Sequence, residues 1–293
     1  MTGVQTCALP ISSSGAVYGT TVSVGDVIAD APLVDGGSGK VYAFVTTGSA
    51  AGVNGDNAVL ELQTDFTTLT TPAAAIFEPV GTGGTGYYLY AGTFDNVYYS
   101  SANSTGSIYV VGNTGVTTGA NLYRIPISAS VMAAPVTAVS GLTVSGSGAS
   151  PWPSPVTEFC NNGASACVAS ATATSTGTDY IFFSVNRGNV GGCATAAGNG
   201  CVLSYNVSNP AAVTISNSSN SGLNVITPSG GNGCWATSGL VVDNSSTLAG
   251  ASQTYFIGLG TNLAGGSTGP TSSKCITGTA STIGATQASQ LNP

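Results

Sequence analysis

An all-β fold is predicted by three features of the sequence. Apolar residues fill 42% of the 293 positions and aromatics 8%, enough to bury a core. Glycine occupies 42 positions, and with Ser, Thr and Asn it divides the apolar stretches into strand-length pieces bounded by turn residues. One strand–turn–strand phrase then recurs four times along the chain.

Taken in order, the opening stretch stands outside this pattern. "MTGVQTCALPI" holds no Lys or Arg, and its apolar run Ala8–Ile11 is interrupted by Pro10. It is therefore neither a secretory leader nor an Arg-rich transit peptide. Its letters match a translated short-read library adapter, and Ser12 fits the codon that such a junction requires. Residues 1–11 are read as an adapter-derived artefact, 12–293 as a single domain, and the natural N-terminus as lying upstream.

The repeated phrase follows. It is "PLVDGGSGKVYAFV" at 32–45, "FDNVYYSSANSTGSIYVV" at 94–111, "PVTEFCNN" to "TGTDYIFFSV" between Pro155 and Val185, and "LVVDNSSTLAGASQTYFIG" at 240–258. Each copy has a short apolar strand ending in an acid: Asp35, Asp95, Glu158 and Asp243. A turn of variable length carries Gly39, Gly106, Gly177 or Gly250 just before a strand rich in Tyr and Phe. A third strand is expected at "AVLELQ" (58–63), "NLYRIPI" (121–127) and "CVLSYNV" (201–207), with "PVTAVSG" and "AVTISNS" as candidates for a fourth.

Successive acids are 60, 63 and 85 residues apart. A parallel β-helix repeats faster, and an array of immunoglobulin-like sandwiches needs about 100 residues per unit. Four antiparallel strands repeated about an axis is the β-propeller plan. The expected fold is a β-propeller of four-stranded antiparallel blades at about 31–80, 91–148, 153–222 and 236–290. The fragment "GAVYGTTVSV" precedes them, and the ring is expected to be N-terminally truncated.

Charge excludes several partners. Lys40, Arg124, Arg187 and Lys274 are the only cations against 11 acids, a net charge of −7. Such a chain has little with which to neutralise a row of phosphates or an anionic bilayer surface, so nucleic acid is not an expected partner. No apolar run is long enough for a membrane span. With only 5% charged residues, the composition fits a secreted or cell-surface protein better than a cytosolic one.

Cysteine use points the same way. With Cys7 set aside among the adapter residues, Cys160, Cys167, Cys193, Cys201, Cys234 and Cys275 remain. An even count without any His favours disulfides over a metal site. Proximity pairs Cys160 with Cys167 and Cys193 with Cys201, leaving Cys234 for Cys275. Free buried thiols are the alternative.

The absence of His removes Ser-His-Asp and Cys-His nucleophilic systems and imidazole metal sites. "GGSGKV" at 36–41 fails the phosphate-loop spacing and reads as a hairpin turn, and "TSSK" at 271–274 reads as loop. What remains is the repeated acid. Asp35, Asp95, Glu158 and Asp243 form one rim in a propeller, where they are candidate Ca²⁺ ligands or a glycosidic acid–base pair. The alternative is that each opens a turn by accepting backbone N–H groups. Repetition favours the turn, because catalysis breaks symmetry and turn chemistry copies it. No other cofactor is expected. Tyr87, Tyr88, Tyr90, Tyr98 and Tyr99 are read as core between blades, with a carbohydrate-stacking face as the alternative. Glu61 and Arg124 are expected to point to solvent.

The phrase P-x-V-D-x-x-x-G-x-V-Y at 32–42 resembles the repeats of the PQQ/YVTN/NHL class of bacterial propellers. "FDNVYYSSANSTGSIYVVGNTG", "SPVTEF" and "ATQASQLN" resemble a family of secreted propeller-like proteins of soil bacteria such as acidobacteria. The resemblance covers most of 31–290 and implies export and a propeller; it brings no catalytic residues. A quinone-docking repeat has its Trp at the repeat positions, whereas Trp152 and Trp235 fall outside the shared phrase, so PQQ is not an expected cofactor. The expected function is a binding or scaffold module for extracellular carbohydrate or a cell-surface protein. A carbohydrate hydrolase or lyase using channel carboxylates, and a structural or adhesive surface protein, are the alternatives.

Overall fold

The computed structural model describes residues 27–46, 55–64, 76–83, 88–114, 119–142, 153–161, 177–186, 200–215, 223–224, 236–237, 239–243, 251–259 and 284–291. Within these the fold is all-β, with four antiparallel sheets arranged in chain order.

The first sheet runs β1 (Leu33–Asp35), β2 (Lys40–Val45), β3 (Asp56–Gln63), β4 (Ile76–Thr82), each strand paired with the next. In the second, β5 (Thr93–Phe94) pairs β6 (Gly106–Asn113), and β6 pairs β7 (Ala120–Ser128). A single helical turn, α1 (Asn96–Ser100), fills the β5–β6 connection. The outer edge of β7 carries two short strands, β8 (Val131–Met132) and β9 (Val136–Val139). Pro126 lies between them on β7. Its carbonyl accepts from Ala133 N, so the N–H that proline lacks would point to this same edge, and the ladder breaks there.

The third sheet repeats the order with β10 (Thr157–Asn161), β11 (Thr178–Asn186) and β12 (Gly200–Asn206). Two short strands, β13 (Thr214–Ile215) and β14 (Leu223–Asn224), pair with β12. In the fourth, β15 (Ala236–Thr237) and β16 (Val241–Asp243) share one edge of β17 (Ala251–Leu259), and β18 (Gly284–Leu291) takes the other.

The runs KVYAFV, SIYVVG and YIFFSV lack the apolar–polar alternation of a half-exposed strand because both faces are covered. Side chains alternate sides along a strand. Tyr42 and Phe44 of β2 meet Ile108 and Val110 of β6, joining the first sheet to the second. Tyr109 and Val111 point the opposite way, onto Ile181, Phe183 and Val185 of β11. Tyr180 and Phe182 in turn pack with Leu240 and Val242 of the fourth sheet. The sheets are stacked face to face. Each fully buried large side chain in these seams, such as Phe44 or Phe183, contributes roughly 1.5–3 kcal/mol.

Hydrogen bonds also join successive sheets near the start of their early strands. Ala91 N donates to Asp30 Oδ2, and Val156 N donates to Ala91 O. Thr157 Oγ1 then donates to Leu240 O. These residues stand at or just before β1, β5, β10 and β16, so these four strands follow one another side by side.

Glu61 corrects an expectation. It is 3% exposed, not at the surface. Its Oε1 pairs with Lys40 Nζ at 2.5 Å, and its Oε2 accepts from Met132 N at 2.7 Å, linking β3 to β8 of the next sheet. Arg124 is half-buried. Among the described residues no helix is long and apolar enough to cross a membrane.

Candidate functional site

The acids of the first three sheets are joined through α1. Asp35 closes β1 and opens the β1–β2 turn, which Gly39 completes at φ 70°. Its Oδ1 accepts from Gly37 N and Ser38 N, as an Asx turn requires. Its Oδ2 accepts from the hydroxyls of Ser38, Tyr98 and Ser104. Burial opposes the charge, yet the donors from Ser38, Tyr98 and Ser104 outweigh it and hold the carboxyl well below the usual carboxylate range.

Asp95 follows β5 directly and caps α1. Its Oδ1 accepts from Tyr98 N at 2.9 Å and Ser107 N at 3.1 Å. Gly106 is required here, since a Cβ on it would fall on the Asp95 carboxylate and the Tyr98 backbone. Burial raises the Asp95 carboxyl against the pull of these N–H groups and of Arg124. Tyr98 thus bonds Asp95 through its backbone and Asp35 through its side chain.

The third sheet joins through Asp179. Asn96 N, in α1, donates to Asp179 Oδ2 at 2.8 Å. Glu158 does not end its strand, as the repeated phrase implied. It lies inside β10 opposite Ile181, while Asp179 on β11 lies opposite Cys160. Glu158 and Asp179 are diagonal neighbours on one face of the β10–β11 ladder, a spacing that long side chains span, and each has one carboxyl oxygen buried without a hydrogen-bond partner. Burial and the facing carboxylate push Glu158 upward; burial also raises Asp179, against Glu158 and the Asn96 N–H.

Turn chemistry therefore accounts for Asp35 and Asp95 but not for Glu158. Asp243 ends β16 opposite Gln253, and its side chain lies outside the described residues. Among the described residues no group of three or more acidic or thiol side chains is placed to hold a metal ion. Asp35 and Asp95 are held by protein donors, so they are not treated as ligands below.

The tyrosines divide. Tyr98 is buried and stacks on Phe94 with ring centroids 4.0 Å apart. Tyr99 is 58% exposed and meets Phe94 edge-on, beside Asp95, Glu158 and Asp179. Tyr88 is 38% exposed and meets Tyr90 edge-on. Tyr87 lies outside the described residues, as do Gly250, Cys167, Cys193, Cys234 and Cys275.

No protein-family model, curated protein or solved structure matches the chain.

Two members of the site were not singled out in the sequence. Asp179 had a readable signal: in TDYIFFSV it shares its face with Ile181 and Phe183, and a carboxylate on a buried face is an anomaly. The helical turn had none, because Asn-Val-Tyr-Tyr-Ser is short and rich in strand-forming residues.

Proposed function

We propose that the chain is a secreted or surface-exposed β-propeller module that binds or scaffolds extracellular carbohydrate or protein. The observation that carries this reading is the serial arrangement of β1, β5, β10 and β16. Asp30, Ala91, Val156 and Leu240 stand in succession beside one another, the order that the innermost strands of propeller blades have around an axis.

Export is supported by the sparse charge and the six cysteines outside the adapter stretch. Cys160 faces Asp179 and Cys201 faces Val185, six residues further along β11. That is about 20 Å of strand, beyond disulfide reach, which favours local pairings such as Cys160–Cys167. Binding is assigned to the rim with exposed rings, Tyr99 above all.

A glycan array and a panel of extracellular proteins, probed with the full chain, test this. Retention without turnover is expected, with Tyr99→Ala weakening Kd on the order of tenfold, the effect of losing one aromatic anchor. Hydrolysis of a retained glycan, abolished by Glu158→Gln, contradicts it.

A further inference from the structure

The seam between the second and third sheets holds three buried polar atoms without partners: Tyr109 Oη, Glu158 Oε1 and Asp179 Oδ1. Asp179 is 1% exposed and Tyr109 fully buried. Two facing carboxylates offer each other no hydrogen, so two ionised side chains would leave both oxygens orphaned and repelling. One proton between them satisfies both.

From this geometry we propose that Glu158 and Asp179 form a one-proton latch, fastening the third sheet to α1 of the second while protonated and loosening it when the proton is lost to alkali. The proton passes to solvent hydroxide, and no other bond changes. Asp179 is the centre of the latch because its second oxygen already holds Asn96 N of α1. Protonated Glu158 donates to it, whereas ionised Glu158 pushes it away.

The surroundings reinforce the charge penalty. Asp95, beside α1, adds a negative charge that acts on both carboxyls, and the charge of Asp179 acts through space on the phenols of Tyr99 and Tyr109 without a hydrogen bond to Tyr109. Arg124 on β7 acts on Asp95 and Tyr109. Behind Asp179, Ser208 Oγ accepts from its backbone N–H. The fourth sheet presents Leu240 and Val242 to β10's sheet, and the Asp243 side chain lies outside the described residues.

The sign follows from linkage. A carboxyl raised in the fold binds its proton more tightly than in the unfolded chain. Its contribution is complete below its ordinary value, declines as pH rises, and is lost above the raised value of about 9. Across that window the folding constant falls by up to about tenfold per pH unit.

Carbon-13 labelling of glutamate carboxyls in the full chain reads this directly, because Glu61, Glu78 and Glu158 are its only glutamates. One resonance is expected to titrate above about pH 7 and to vanish in Glu158→Gln. Urea midpoints of the unmodified chain are expected to fall between about pH 5 and 8, and this slope to flatten in Glu158→Gln. If every glutamate titrates in the ordinary range near 4.3, the latch is overturned, and no variant is needed to see it. A raised Glu158 with a flat stability profile overturns it equally.

Discussion

Gly112→Ala is expected to lower stability by about 3 kcal/mol, at the upper end of the overpacking range. A Cβ on Gly112 of β6 would fall on the carbonyl oxygen of Val80 in β4. The contact is reciprocal: at Gly81, with φ 126°, a Cβ would fall on the carbonyl of Asn113. The first and second sheets therefore meet backbone to backbone at this point. A flexible side chain gives way to an added methyl; two strand backbones cannot. The sheets must separate, which loosens the packing of Tyr42 and Phe44 on Ile108 and Val110. Against a total of 5–15 kcal/mol, that is a severe loss. Gly36→Ala is the control, because nothing lies within 4 Å of its Cβ position; it is expected to stay within about 0.5 kcal/mol. Urea midpoints of the two variants separate these outcomes, and equal midpoints refute the stacked arrangement.

Asp95→Ala has the next largest expected effect, also about 3 kcal/mol. The residue is 2% exposed, and its Oδ1 satisfies two buried N–H groups, those of Tyr98 and Ser107. Alanine leaves Ser107 N unpaired, at roughly 1–3 kcal/mol, and removes the side-chain cap from Tyr98 N, which keeps only the Asp95 carbonyl, at roughly 0.5–2 kcal/mol more. It also frees the first turn of α1, the element that carries Tyr98 to Asp35 and Asn96 to Asp179. Asp95→Asn keeps a carbonyl acceptor in place. Because burial already raises this carboxyl, giving up the charge is inexpensive, and the Asn variant is expected to lose about 1 kcal/mol or less. Thermal unfolding of the pair checks the order; an Asn variant as weak as the Ala variant means that charge, not acceptor geometry, is what Asp95 supplies.

These two residues show how far the sequence could be read. Strands β2, β6, β11 and β17 were legible because unbroken apolar and aromatic runs of strand length have few other uses. Strand β4 was not. IFEPVGT contains Pro79 and Gly81, both poor strand residues, and it is tolerated because β4 lies at the end of its sheet's pairing order. Strand β18, GATQASQL, is too polar to announce itself. It forms by pairing with all of β17 from Ala251 to Gly258, a tertiary gain that local propensity does not contain.

At the site, Asp35 and Asp95 were visible because each precedes a turn or a helical cap whose chemistry is local. Glu158 was assigned the same role from its place in the phrase. Its partner is Asp179, 21 residues further on in the chain, and only the β10–β11 register brings them together. Glu61 was misplaced for a related reason. A charged residue in an alternating strand reads as solvent-facing unless its ion-pair partner, here Lys40 across the β2–β3 ladder, is already known.

The account rests on the repeated acid serving as a fastening between one sheet and the next. A double-mutant cycle on Asp35→Ala and Tyr98→Phe measures that fastening where it is shortest across sheets, the 2.7 Å bond from Tyr98 Oη to Asp35 Oδ2. A hydrogen bond to a charged group of this kind predicts a coupling of about 1.5–3 kcal/mol. Additivity within about 0.5 kcal/mol would mean that the two residues do not touch, and that the acids do not hold the sheets together.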